Sequence, residues 1–284
     1  MTGSGVTNWL GANTPETNRR ASTEAATSSR ADIPLRDSNI SSLIKPQIFS
    51  RFWSTGLLDR EDLQTLQAQE WTRRTVEART RFQMGRGFCV LASGLAARYG
   101  VSDAEEAQST ALIVPGDICD YSVATGTEPR ARLVALTKSS YLWISAEQAI
   151  ALAENAPNVL AAILAQLVID RAVSEELLFS IARRTALERT AHFLCELEYR
   201  LRRMGLAHGG RFRLPMTQAE IGRHLGLTPV HVNRTMQELR RRHFVRSNGS
   251  GVELCDQQNL QQLAAFSPHY LNLSAGPSDQ AFDA

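Results

Sequence analysis

Cysteine is scarce and scattered. Cys89, Cys119, Cys195 and Cys255 are separated by 30, 76 and 60 positions in 284 residues, so no close-spaced pair marks a zinc knuckle or a cluster ligand set. They read as reduced thiols, with Cys89 and Cys119 as candidate redox residues. No unbroken apolar run approaches the roughly 18 residues of a spanning helix, and the N-terminus lacks a basic segment followed by an apolar one. A soluble, cytoplasmic location is expected. There is no metal-ligand pair on one helix face, no Gly-x-Ser-x-Gly elbow and no phosphate loop, so the sequence does not read as an enzyme. With 43% hydrophobic and 21% charged residues, the chain is long enough for two globular domains.

Residues 217–240 carry the clearest signals. Thr217 followed by Glu220 is a capping box, Ile221 and Leu225 share one helix face, and Gly226 stands where a chain leaves a helix. Thr228 offers a second N-cap and Pro229 suits the first helical position. Val232, Met236 and Leu239 then give the next apolar stripe. Two capped helices around a glycine turn match a helix-turn-helix, whose second helix enters the DNA major groove. Val230, His231, Asn233 and Arg234 lie at that helix's exposed start. Of these His231, Asn233 and Arg234 are predicted to read bases, because Arg can bond guanine, Asn adenine, and His guanine or phosphate. Thr217, Gln218, Arg223, Thr228 and Arg246 are predicted to hold phosphates.

The small net charge hides an asymmetry. Residues 183–246 carry 14 Arg, no Lys and five acidic residues, a net +9 that leaves −7 for the rest of a +2 chain. A basic region beside an acidic remainder is the electrostatic footprint of nucleic-acid binding.

Residues 1–45 are rich in Ser, Thr, Ala and Asn without apolar periodicity, which predicts a disordered tail. Short helices are predicted around Leu57–Leu66, then a β-like stretch over Thr75–Met84. Short apolar runs follow at Phe88–Ala92, Leu95–Tyr99, Ser109–Val114, Leu133–Leu136 and Tyr141–Ile144, the series expected of a β-sandwich or barrel. From Pro157 an apolar stripe recurs at three- and four-residue intervals for more than twenty residues. It includes Leu160, Ile163, Leu164, Leu167, Leu178 and Ile181, and it is wide enough to meet both the β-domain and a second copy of the chain. Arg183–Thr185 reads as a hinge. After the helix-turn-helix, Ser247–Gly251 is a hairpin turn between Phe244–Arg246 and Val252–Leu254, which makes a wing.

This order of parts resembles the Crp/Fnr family of bacterial transcription regulators. The resemblance is carried by Val114-Pro-Gly-Asp-Ile118, by Ala186-Leu-Glu-Arg-Thr-Ala-His192, and by Leu214 to Gly222 through Asn233-Arg234. It implies an α+β fold with a cyclic-nucleotide-binding-like β-roll (46–156), a long dimerisation helix and hinge (157–184) and a C-terminal winged helix-turn-helix (185–266). A polar tail (267–284) follows. It also implies a homodimer reading a palindromic site in double-stranded DNA, with RNA polymerase as partner if the protein activates transcription.

The departures from the family are informative. The cyclic-AMP cassette's Gly-Glu pair is Gly116-Asp117 here, and Glu128 stands where a phosphate-binding Arg is expected, so cyclic AMP is not expected as effector. No cysteine precedes Cys89, which excludes an N-terminal iron-sulfur ligand set, and all six histidines lie from His192 onward, away from a haem site in the β-roll. No cofactor is therefore assigned. If a small ligand sets DNA affinity, Gly116, Asp117, Tyr121, Glu128, Arg130 and Arg132 form the candidate effector pocket; a thiol-controlled regulator is the competing reading.

Overall fold

The computed structural model describes residues 46–82, 84–100, 108–121 and 132–272. The N-terminal tail over 1–45, Glu128, Arg130 and the tail from 273 lie outside the described residues.

Two antiparallel sheets form the N-terminal half. One has four strands in the order β1 (Thr72–Val76), β7 (Ser139–Ser145), β2 (Gly87–Ser93), β5 (Ile118–Asp120). The other places β3 (Ala96–Tyr99) between β4 (Ser109–Ile113) and β6 (Arg132–Ala135). Alternation along each strand assigns the faces. Cys89, Leu91, Ala96, Ile113, Leu133, Ala135 and Tyr141 fill the space between the sheets. Phe88, Val90, Leu142 and Ile144 point the other way, under Phe49, Phe52 and Leu66. Both faces are covered, which is why Phe88–Ala92 reads as a continuous apolar run rather than an alternating one.

The first strand differs from the sequence expectation: it runs Thr72–Val76, and by Arg79 the backbone has turned to a φ of 64°. Among the described residues there are seven strands in this half.

Helices α1 (Ser50–Trp53), α2 (Arg60–Gln67) and α3 (Ala146–Asn155) lead to α4, Pro157–Arg183. α4 buries Val159, Ala162, Ala165, Gln166, Ile169 and Ser180 against its own subunit. Leu164, Leu167, Val168, Leu178 and Phe179 remain exposed, Leu178 at 67%, while Leu160, Ile163 and Ile181 are half-buried. With a window of mean hydropathy 1.3, α4 is also long and apolar enough to cross a bilayer, although the sequence has no unbroken apolar run of that length. Asp170, Arg171, Glu175 and Glu176 interrupt its middle.

Thr185 caps α5 (Ala186–Arg203), and β8 (Arg211–Arg213) leads to α6 (Gln218–Leu225) and α7 (Pro229–Arg241). The wing is β9 (Val245–Asn248) and β10 (Gly251–Leu254), with β10 paired to both β8 and β9; α8 (Gln257–Ala264) closes the unit. The outer face of the three-stranded sheet, with Leu95, Ala97, Tyr99, Leu112 and Val114, packs into the same core as Phe193, Leu194, Leu197, Ile221 and Leu225. The basic C-terminal half therefore rests directly on the β-roll.

Candidate nucleic-acid interface

Local signals set the geometry of α6 and α7. The Glu220 N–H donates to Thr217 Oγ1 at 3.2 Å and the Thr217 N–H to Glu220 Oε2 at 2.7 Å, so α6 starts at Gln218. Gly226, at φ 63°, ends it in the left-handed region that favours glycine. Gly222 is required for a different reason: a Cβ there would come within 2.4 Å of the Leu227 carbonyl oxygen, so only glycine lets the turn fold back this tightly. Thr228 Oγ1 then accepts from the His231 N–H at 3.2 Å and Pro229 opens α7.

α7 buries Val232, Thr235, Met236 and Leu239, and the Thr235 hydroxyl meets that of Thr190 on α5 at 3.0 Å. The opposite face is bare. Val230 is 74% exposed, His231, Arg234 and Gln237 are exposed, and Asn233 is half-buried at the edge of this face. Val230 was not assigned a reading role from sequence, yet it is an apolar group on this face, suited to a thymine methyl.

Charge is distributed unevenly among the arginines. Arg241 and Arg242 both bind Glu238, whose carboxyl is held down at about 2 by their hydrogen bonds. Arg211 and Arg246 share Glu253, which they hold below the usual carboxylate range. Arg246, predicted to hold a phosphate, thus has a protein partner at 3.0 Å. Arg223, Arg234 and Arg240 have no ion pair among the described residues, and Arg234 and Arg240 are exposed. Arg183 and Arg213 are likewise exposed without an ion pair among the described residues, so unpaired positive charge lies on the two helices of the motif and on the segments before them. Gln218 lies exposed at the start of α6, while the hydroxyls of Thr217 and Thr228 are engaged in capping.

Residues 188–263 match the Crp-like helix-turn-helix domain. The chain as a whole is similar to regulators of the Crp/Fnr family. It is 27% identical over 189 residues to the transcriptional activator protein Anr of Pseudomonas protegens, covering 66% of this chain and 77% of that one. To the fumarate and nitrate reduction regulatory protein of Vibrio cholerae it is 25% identical over 182 residues, covering 64% and 72%. Its fold is similar to that of FixK2 from Bradyrhizobium japonicum, with a TM-score of 0.62 at 23% identity, covering 69% of this chain and 98% of that one. These likenesses support a Crp-like helix-turn-helix DNA-binding domain over residues 188–263 in a chain similar to Crp/Fnr transcription regulators.

The helix-turn-helix half is tied to the β-roll by polar contacts as well as by its core. Gln108 Nε2 donates to the His224 carbonyl at 3.0 Å, and Arg79 pairs with Glu220, the capping carboxylate of α6. Asp117, only 1% exposed, accepts from Arg51 of α1, from Arg200 of α5 at 2.5 Å and from the Val114 N–H at 2.8 Å. Tyr121 donates to Asp170 of α4 at 3.0 Å, and burial pushes both of those groups up from their ordinary values.

These contacts show where the described members of the sequence-based effector set lie. Asp117 is the centre of an ion cluster. Gly116 faces Ile48 and Met204, and the Arg132 guanidinium lies over the Tyr99 ring, whose side chain packs on the outer face of the three-stranded sheet. Of the described members, Asp117 and Tyr121 join one network through Arg51 and Asp170, while Arg132 packs on the other sheet. The thiols also differ from a reactive pair. Cys89 and Cys119 are buried, and the Cys89 hydrogen bond, then burial, push the Cys119 thiol well up, the opposite of a thiolate primed to attack.

One residue escaped the sequence reading. Arg189 donates to the Ser180, Ile181 and Arg184 carbonyls at the end of α4, and to Leu225 O at the end of α6. Its available signal was a charged residue four positions before Phe193, on the buried side of α5.

Two buried histidines make the junction pH-sensitive. Burial, then Arg200, lower His224 to about 4; burial, then Arg184, lower His192 to about 3, despite Glu176 Oε1 at 3.2 Å. The unfolded chain takes up these protons from about pH 6.5 downward while the folded one refuses them, so stability is full above that pH and falls as pH drops towards 4. Urea unfolding at pH 7 and pH 5 is expected to differ by on the order of 2 kcal/mol per histidine. His224→Gln should flatten part of that slope; an unchanged slope would show that His224 is not among the groups responsible.

Proposed function

We propose that the protein acts in the cytoplasm, without catalysis, as a homodimer that reads a palindromic operator and changes its grip on DNA when a signal reaches the β-roll. The observation that carries this reading is the bare start of α7, where Arg234 has an exposed and uncompensated charge beside exposed Val230 and His231. In a two-fold dimer two such helices would enter successive major grooves about 34 Å apart. His231, Asn233 and Arg234 read bases in this account. Gln218, Arg223 and Arg246 hold phosphates, Arg246 after exchanging Glu253 for the backbone, and Thr217 and Thr228 offer their hydroxyls from the helix caps. If the protein activates transcription, RNA polymerase is the further partner, and its approach would follow operator binding.

Selection of bound fragments from random DNA is expected to recover an inverted repeat. Arg234→Ala should then lose about 1–3 kcal/mol at one base pair per half-site and little at the others. A uniform loss for every sequence would reassign Arg234 to the phosphate backbone.

The exposed stripe of α4 supports the dimer. Leu164, Leu167, Val168 and Leu178 would meet their counterparts, each burial contributing about 1.5–3 kcal/mol and counting twice by symmetry. Sedimentation of the wild-type chain should give a dimer, and Leu178→Glu a monomer at micromolar concentration with an unchanged circular dichroism spectrum. A Leu178→Glu variant that stays dimeric would place the interface elsewhere.

The ion cluster around Asp117 and the Arg79–Glu220 pair support a route by which the β-roll controls the reading head. A signal that favoured one arrangement of these contacts would shift the population of DNA-competent dimers by its differential affinity alone.

A further inference from the structure

The space between the two sheets holds an unusual concentration of sulfur. The Cys89 thiol donates to Met84 Sδ at 3.1 Å. Cys89 on β2 faces Asp120 on β5, and the pairing then shifts to Val90 with Ile118, so Cys119 is the extra residue of a bulge opposite Cys89. Both cysteines are buried in the core between the sheets, on paired strands, and Met84 packs against that core. The Cys89 thiol thus has a thioether in contact and a second thiol across the strand pair. Phe82, Leu91, Tyr141 and Trp143 belong to the same core, while Met84 is half-buried, with exposed Gly85 and Arg86 after it.

We propose that Met84, Cys89 and Cys119 form a three-sulfur binding site for a soft monovalent cation, copper(I), inside the β-roll. Thiolate and thioether donors select soft ions. No group of three or more His, Cys, Asp or Glu suited to a metal occurs among the described residues, so a fourth hard or imidazole donor of the kind zinc would use is not at hand. Two thiolates, one thioether and Cu(I) carry a net charge of −1. Arg98, whose Nη2 donates to the Cys119 carbonyl at 2.9 Å, supplies a compensating positive charge next to the cluster. Binding forms three copper–sulfur bonds and releases the two thiol protons to solvent; copper remains Cu(I) and no electron moves. The half-buried Met84 is the entry point, a flexible thioether that can meet the ion at the rim and deliver it to the thiols.

The site deepens the sensing role proposed above and rests on that reading only for its effect on DNA. The turn that holds Asp117 runs directly into β5 and hydrogen-bonds to Leu91 of β2, so tightening Cys119 against Cys89 pulls on the residue that binds Arg51 and Arg200.

The test is anaerobic titration of the reduced full-length protein with Cu(I) against a chromophoric Cu(I) chelator. One Cu(I) per chain should leave the chelator, with a three-coordinate, sulfur-only shell in the X-ray absorption spectrum. Cys89→Ser and Cys119→Ser should each weaken binding by about 100-fold, and Met84→Leu, at the rim where folding is least at risk, by about 10-fold. Cys195→Ser and Cys255→Ser should bind as the wild type does. Failure of the wild type to compete with the chelator overturns the site, as does unaltered binding by a folded Cys89→Ser/Cys119→Ser chain or by Met84→Leu. DNA binding is measured separately on the selected operator. Copper uptake with unchanged operator affinity supports the site and overturns its regulatory role. An operator bound by neither the free nor the loaded protein overturns the DNA-reading proposal, and the copper titration still decides the site.

Discussion

Replacing Arg189 with Leu is expected to lower the unfolding free energy by about 3–5 kcal/mol, among the largest effects of any single substitution outside the central core. The last carbonyls of a helix have no partner within it. At the end of α4 and again at the end of α6 those carbonyls are turned inward, where water does not reach them freely. The Arg189 guanidinium serves both ends at once, with Nε on Ser180 O at 3.1 Å, Nη2 on Ile181 O at 2.8 Å and Arg184 O at 3.1 Å, and Nη1 on Leu225 O at 2.7 Å. Leu keeps the apolar stem but leaves the Ile181, Arg184 and Leu225 carbonyls unsatisfied, Ser180 O keeping the Arg184 N–H, each orphaned group costing about 1–3 kcal/mol less whatever water can recover. Lys should rescue only part, because one ammonium cannot reach two helix ends in the planar fork that Arg provides. Urea unfolding followed by circular dichroism measures the loss. A loss below about 1 kcal/mol for Arg189→Leu would mean that the helix ends are solvated and the knot is dispensable.

Asp117→Ala is expected to cost about 3–5 kcal/mol, because it takes the shared carboxylate from two largely buried guanidiniums at once, leaving Arg51 with Asp170 at 3.5 Å and Arg200 with Glu196 at 3.1 Å. Arg51 and Arg200 come from opposite ends of the chain and meet only at this carboxylate, which is also held by the Val114 N–H. The asymmetry supplies the control. A triple variant with Arg51→Met, Asp117→Leu and Arg200→Met removes all three charges and should fall closer to the wild type than Asp117→Ala alone. If the single variant were the milder of the two, the cluster would be solvated in practice. Since Arg200 lies on α5, loosening the cluster should also free the DNA-binding half from the β-roll, and operator affinity should change alongside stability.

The helix-turn-helix was legible because its instructions are local. Thr217 with Glu220, Gly226, and Thr228 with Pro229 each act within one turn of chain, and the structure places the helix boundaries at those residues. The wing followed from Asn248 and Gly249 for the same reason. The β-roll was legible as a series of strands but not as a site. Whether Asp117 lined a pocket or sat in an ion cluster depended on Arg51 and Arg200, residues 66 and 83 positions away, and no spacing rule connects them. Cys89 and Cys119, too, looked isolated at a separation of 30 and became neighbours through a one-residue bulge.

The sequence by itself thus determined the class of the protein. Capping, glycine turns and apolar periodicity are short-range effects that survive without knowledge of the fold, and the arginine excess is a sum that needs no coordinates. Tertiary structure alone decided which arginines are held in ion pairs and which are left exposed and unpaired, that one guanidinium ties two helix ends, and that Met84, Cys89 and Cys119 share one core of the roll. Those outcomes depend on long-range contacts whose energies are set by burial, and burial exists only once the chain has closed on itself.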